Sequence, residues 1–271
     1  MCGEGGRGQL SAIRGVIDAT DLVCNRRMPM GLTISYKFKA DPCDEERARS
    51  LVHKLRRRAL DLPFLEVGEV REFGEGEVHI KKLPRNSPDG RLFIQSELYY
   101  DLKGAEKVTY LLHPLKLIVF STHPGAGAEQ ANFGLAVYHD RVTLWDRSTS
   151  PPTGTLVPTH IGDWYWESFC KTQFAIDERH GGLTNFLRTH MTIVKLLDYA
   201  RELGILVEVN DGGGYWESRD IEKLANEVRT LNSFIGGSGR KFVPQIIERI
   251  VKEHPELGPP GPIKEIDRDL R

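Results

Sequence analysis

The sequence predicts an α+β fold, with a mainly antiparallel sheet, packed helices, and the helices concentrated in the C-terminal half. Three observations lead there. Strand-like alternation dominates the first half of the chain, and helical three-and-four spacing dominates the second. The order of elements is mixed, which favours α+β over a doubly wound α/β sheet. Of the 271 residues, 39% are hydrophobic and 28% are charged, a balance that builds a globular core and argues against wholesale disorder.

The elements follow in order. Leu32–Lys39 alternates with period two and reads as a half-buried strand. Asp41-Pro42-Cys43-Asp44 then starts a helix: Asp41 serves as the cap, Pro42 suits the first helical position, and Asp44 sits near the positive end of the dipole. Ala48, Leu51, Val52, Leu55 and Ala59 supply its apolar stripe, and Pro63 ends it. Two short strands follow, around Leu65–Phe73 and Val78–Lys82, with Gly74 to Gly76 as a hairpin turn. Pro84 to Gly90 is a loop, and Leu92 to Tyr100 reads as another strand. Leu115–Phe120 is a buried strand. Ala131–Tyr138 and Val142–Trp145 are strands joined tightly through His139-Asp140-Arg141. Pro151, Pro152, Gly154 and Pro158 mark a loop.

The second half is more helical. Thr184 caps a helix that runs to Leu203, with Phe186, His190, Ile193, Leu197 and Ala200 on its apolar face and Gly204 as its stop. Ile205–Val209 is a short buried strand. Ser218 caps a helix whose apolar positions are Ile221, Leu224, Val228, Leu231 and Ile235, closed by Gly236-Gly237. A last helix runs from Pro244 to Glu253. Residues 1–29 form a glycine-rich flexible arm or an upstream extension, residues 30–257 a single domain with a sub-boundary near 150–158, and residues 258–271 a loose tail.

Charge and composition exclude several classes. The net charge of −1 lacks the basic excess of a nucleic-acid binder. The densest basic run, Arg56-Arg57-Arg58, falls on a helix and reads as a solvated face. No apolar run approaches the roughly 18 residues of a membrane span. The N-terminal stretch shows no signal-peptide core, so a cytoplasmic address is expected. Cys2, Cys24, Cys43 and Cys170 form no Cys-x-x-Cys pair and read as reduced thiols. No cofactor is implied, and no Cys/His cluster has zinc spacing. His190 reads as a hydrogen-bonded core residue.

Three constellations carry chemistry. Thr122 to Gln130 is a glycine loop after a buried strand, a shape that aims N–H groups at an anion. It lacks the Gly-Lys-Ser/Thr ending of a P-loop, and a strand-to-strand connection needing positive φ is the plainer reading. Cys170 is a candidate nucleophile with His180 or His123 as its base, against the reading of cysteine as a small buried hydrophobe. In a strand, Trp164, Trp166, Ser168, Cys170 and Thr172 share one face. Asp211-Gly212-Gly213-Gly214, with Tyr215, Trp216, Glu217 and Arg219, joins a strand to a helix start, where aromatics and charges can flank a ligand. The plainer alternative is a turn whose Trp216 docks on the core.

Trp166–Gln173, Gly181–Arg188 and Tyr215–Asp220, with Asn132-Phe133-Gly134, resemble uncharacterised bacterial proteins. The likeness covers under half the chain and implies no activity. The expectation is a binding protein with a pocket built from Trp164, Trp166, Lys171, Asp211, Tyr215, Trp216, Glu217 and Arg219, taking a small polar ligand or a protein partner. The alternatives are a thiol-dependent hydrolase or transferase using Cys170, and an assembly protein that forms a homo-oligomer. No nucleic acid or membrane is expected as a partner.

Overall fold

β1 (Thr33–Ala40) buries Ile34, Tyr36, Phe38 and Ala40 while Ser35, Lys37 and Lys39 stay partly exposed, because successive side chains of a strand point to opposite faces. The computed structural model describes residues 32–75, 77, 92, 96, 98–101, 109–146, 151, 153–234 and 243–258. The arm at 1–29, the strand expected at 78–82, the loop at 84–90, the glycine pair at 236–237 and nearly all of the tail at 258–271 lie outside the described residues.

α1 (Glu45–Leu60) starts later than the sequence suggests. Its cap is Asp44, whose carboxylate accepts the Arg47 N–H at 2.7 Å, whereas Asp41 pairs with Lys39 at 3.1 Å. Glu45 and Glu46 in the first turn and Arg57 and Arg58 in the last complement the helix dipole. Its five expected apolar positions are all buried.

β2 (Glu66–Val67) and β3 (Arg71–Phe73) replace the single expected strand at 65–73. β4 (Leu98–Asp101) and β5 (Thr109–Leu112) form a separate hairpin. Leu92 is helical rather than the start of a strand. β6 (Lys116–His123) is the long strand on which β2 and β3 both pair. Val67 faces Thr122 and Arg71 faces Val119, so four steps on one chain match three on the other. One residue is extra, and the ladder breaks there as a bulge.

β7 (Ala131–Val137) is buried on both faces over most of its length. β8 (Arg141–Asp146) and β9 (Thr153–Pro158) make a second hairpin. The stretch expected as a loop at 151–158 is therefore mainly strand. Its prolines misled because they stand before the strand and at its last position, where a missing ladder donor is tolerated, while Thr153 to Val157 fill the interior.

β10 (Trp164–Lys171) alternates as expected, with Trp164, Trp166, Ser168 and Cys170 buried. α2 (Gly182–Glu202) follows and is buried on more than one stripe. It begins after Gly181, whose φ of 100° suits a left-handed entry. Thr184, expected as the cap, lies in its first turn and accepts a hydrogen bond from Arg249 at 2.7 Å.

β11 (Leu206–Asp211) is not the buried strand that its Leu-Val-Glu-Val run implies. It is the sheet edge, and Val207 is 59% exposed. α3 (Tyr215–Ser218), α4 (Ile221–Phe234) and α5 (Val243–Glu253) complete the helices. Asp220, not Ser218, caps α4 by accepting the Lys223 N–H at 2.9 Å. Ser218 instead donates to the Gly214 carbonyl.

The main sheet runs β11-β1-β10-β7-β6-β2, with β3 beside β2 on β6, and every pair is antiparallel. α1 packs against β6, β7 and α2. Tyr36, Phe38, Phe120 and Phe133 stack across three strands, with Tyr36 and Phe133 centroids 5.0 Å apart. β10 and β7 meet at Tyr165↔Ala136, and again where the Glu129 N–H donates to the Lys171 carbonyl at 3.0 Å. Between these points the Asn132 carbonyl accepts the Trp166 indole N–H at 3.1 Å and the Tyr36 hydroxyl at 2.7 Å. Side chains thus do the work of ladder bonds. Among the described residues, no helix is long and apolar enough to cross a membrane.

Candidate functional site

The end of β11 is where buried polar groups gather. Asp211 pairs in register with Ile34, and the Gly212 N–H carries the ladder one residue further to the Thr33 carbonyl at 3.0 Å. The chain then turns through Gly213 and Gly214. Gly214 has φ +64°, and a Cβ at Gly213 would strike Leu224 of α4. Glycine is needed at the first for conformation and at the second for close approach.

The Asp211 carboxylate organises this turn. It accepts the Gly213 and Trp216 N–H groups, each at 2.8 Å, and stands 3.1 Å from Nε2 of His190. An ionised carboxylate only accepts, so Nε2 carries the proton. The other ring nitrogen, Nδ1, lies 3.1 Å from the Thr172 hydroxyl. The three side chains are fully buried. Burial resists ionisation of Asp211, but His190 and the two N–H donors carry its pKa down to about 2.

Threonine, histidine and aspartate in a row have the order of a hydrolytic relay. Here the hydroxyl is sealed from solvent, so a substrate cannot reach it. The row instead ties the end of β10, the middle of α2 and the end of β11 to one another.

Above this buried row lies an outer layer of cations and rings. Asp198 of α2 receives the Arg219 guanidinium at 2.7 and 3.0 Å and Arg201 at 2.8 Å. Trp216 is half-buried, with the Arg219 guanidinium 4.5 Å and that of Arg201 5.1 Å from its ring. Tyr215 beneath is buried, and burial pushes its phenol up to about 12. Arg219 adopts φ +55°, held by its N–H bond to the Tyr215 carbonyl at 2.8 Å and by the fork on Asp198.

The structure brings Asp211, Tyr215, Trp216 and Arg219 together, with Glu217 on the same short helix, and leaves Trp164 and Trp166 elsewhere. Trp164 faces Ala40, whereas Asp211 faces Ile34. Those rows are six residues apart, roughly 20 Å at the rise of a strand. Both β10 tryptophans are buried, so the three indoles do not share one cleft. Trp164 borders a different hollow of about 200 Å³, with Glu45, Glu72, Glu77 and Lys116. Its carboxylates are engaged: Glu45 with Lys116 at 2.6 Å, Glu72 with Arg49 at 2.7 Å, and Glu77 with the Gly74 N–H at 2.6 Å. Lys171 pairs with Glu129 at 3.6 Å, and Glu217 is exposed.

Cys170 is fully buried, and its thiol bonds to the Glu129 carbonyl at 3.1 Å. Burial pushes the thiol far above its ordinary range. His180 is exposed and lies against Gly127, while His123 ends β6 opposite Glu66. The thiolate nucleophile is thus corrected to a core thiol, for the physical reason that no water stabilises its anion. Iodoacetamide at neutral pH is expected to modify Cys43, which is partly exposed, and to spare Cys170 until denaturant is added. Peptide mapping checks this, and rapid native labelling of Cys170 would restore the nucleophile reading.

The glycine loop at 122–130 is also a connection rather than an anion cradle. Gly127 takes φ +79°, and Asn185 donates to the Ala126 and Ala175 carbonyls at 2.8 and 2.9 Å. Gly125 abuts Thr189. Among the described residues no group of side chains could hold a metal ion. Sequence reasoning missed Asp198, Arg201 and Thr172 as parts of the Trp216 region. The one available signal was the i,i+3 spacing of Asp198 and Arg201 on α2.

The fold and site together define an α+β protein with an aromatic, cation-rich surface over a sealed polar row. No family model matches the chain, and no match was found among curated proteins or solved structures.

Proposed function

We propose that this is a binding protein whose recognition surface is the Trp216 face, built with Arg201 and Arg219 and taking a small polar ligand or a protein partner. The observation that carries this reading is a half-buried indole flanked by two guanidinium groups and seated on a turn locked from beneath. Tryptophan and arginine are the residues that most often dominate recognition surfaces. Asp198 fixes the two cations in place, so little side-chain freedom is lost on binding. The thiol-enzyme reading gains no support from a sealed Cys170. We assign the protein to the cytoplasm, where free thiols such as Cys43 and Cys170 stay reduced.

Indole fluorescence tests the reading directly. Titration with a panel of polar metabolites and short peptides is expected to give a saturable change that disappears in Trp216→Phe. Loss of affinity in Trp216→Ala should be about tenfold or more, as for an interface anchor. Binding that survives Trp216→Ala undiminished would move the recognition surface elsewhere.

A further inference from the structure

We infer that the free edge of β11 is a homodimer interface, at which a second copy of this chain adds its own β11 antiparallel about a two-fold axis through Val209. Antiparallel neighbours alternate between residues that exchange backbone bonds and residues that do not. The Gly212 N–H donates to the Thr33 carbonyl at 3.0 Å, so in the same register Asn210 opposite Ser35 and Glu208 opposite Lys37 also turn their backbone groups to β1. The Ser35 hydroxyl donates to the Asn210 carbonyl at 3.4 Å from that side. A trans peptide sets its C=O and N–H in opposite directions. The Val207 carbonyl, the N–H and carbonyl of Val209 and the Asp211 N–H therefore point away from β1. Among the described residues no strand lies on that side, and none of these groups has a backbone partner.

Only another extended backbone matches such a row of donors and acceptors, and this strand complements itself. About an axis through Val209, each copy's Val209 N–H meets the other's Val209 carbonyl, and each Asp211 N–H meets the other's Val207 carbonyl. Glu208 then stands opposite the partner's Asn210, twice by symmetry. Both side chains are exposed. Lys37 takes one Glu208 oxygen at 2.8 Å; among the described residues the second oxygen and the Asn210 amide make no hydrogen bond. An amide that donates to that oxygen satisfies both. An axis through Glu208 would keep the backbone matched but set two carboxylates face to face, and like charges directly opposite are destabilising. The bulge between Lys37 and Phe38 lies beyond Glu208, so the ladder from Glu208 to Asp211 stays regular. Val207, apolar and 59% exposed, is carried into the joint. One patch meeting itself closes as a two-fold pair and does not grow into a filament. The joint uses the strand edge and not the Trp216 ring, so either can fail without the other.

Sedimentation equilibrium of the full chain from micromolar to millimolar concentration tests the interface, and a reversible monomer–dimer equilibrium is expected. Val209→Pro removes an outward N–H and leaves the bonds to β1 in place, because proline is tolerated where an edge N–H faces solvent. It should return the chain to monomer with circular dichroism unchanged. Asn210→Glu sets carboxylates against carboxylates across the axis and should weaken dimerisation about tenfold. Adding Glu208→Lys to Asn210→Glu makes both cross-strand pairs opposite in sign and should restore the dimer. A chain that stays monomeric over the whole range overturns the interface, as does a dimer that Val209→Pro and Asn210→Glu both leave intact. A monomer that captures a strand-forming peptide at this edge overturns the second copy as the occupant. A dimer that survives Val209→Pro but dissociates in Trp216→Ala overturns the edge and makes a second copy the partner of the Trp216 surface.

Discussion

Asp211→Ala is expected to destabilise the fold by about 3–5 kcal/mol, because each buried donor left without an acceptor costs about 1–3 kcal/mol. The substitution strands three donors at once: the N–H groups of Gly213 and Trp216 and Nε2 of His190. Urea unfolding followed by circular dichroism measures the loss, and an unchanged midpoint would show that the buried row contributes nothing. Asp211 also sets a pH window. Its folded pKa of about 2 lies below the ordinary 3.8. A carboxylate depressed on folding stabilises the native state while ionised, so its contribution is complete above 3.8 and is lost as pH falls towards 2. The size of that contribution is about 2 kcal/mol. Asp211→Asn should flatten the acid limb of the stability profile across this interval.

Trp166→Ala should be equally severe, at about 3–5 kcal/mol. The indole is fully buried and supplies both volume and a donor. Its N–H shares the Asn132 carbonyl with Tyr36 at the point where β7 and β10 part. Removing it leaves a cavity next to the Tyr36–Phe133 stack and takes away the side-chain bond from β10 to the Asn132 carbonyl, leaving only that of Tyr36 on β1. Trp166→Phe keeps most of the volume and loses the bond, so its effect should fall to about 1–2 kcal/mol. Amide exchange of Asn132 to Leu135 should quicken in both variants. If Trp166→Phe is as damaging as Trp166→Ala, the hydrogen bond outweighs packing and the ranking is reversed.

Local patterns were readable wherever one element sets its own burial. The stripe Ala48, Leu51, Val52, Leu55 and Ala59 buries as its spacing predicts, and so do the alternating faces of β1 and β10. These outcomes depend on periodicity within a single segment. β11 was misread because its apolar run says nothing about whether a neighbour lies on both sides, and the sheet order leaves it at an edge. β9 was hidden by prolines that turn out to bracket it. Helix starts slipped by a few residues because several Asp, Ser and Thr residues stand close together, and only the fold decides which one meets a free N–H group.

The candidate site divides in the same way. The stretch from Asp211 to Arg219 was legible as a cluster because its aromatics, charges and glycines lie close in sequence. Its supposed partners on β10 were not, since strand register separates Trp164 from Asp211 along the sheet. His190 and Asp211 are 21 residues apart, as are Asp198 and Arg219.

The chain by itself determined the α+β class, the amphipathic faces and the composition of the turn at 211–219, because each follows from neighbours along the backbone. Tertiary structure alone decided which tryptophan meets solvent, which cysteine is sealed and which carboxylate holds which cation. Those outcomes arise from contacts between distant segments, where register and packing choose the partner and no local periodicity records the choice.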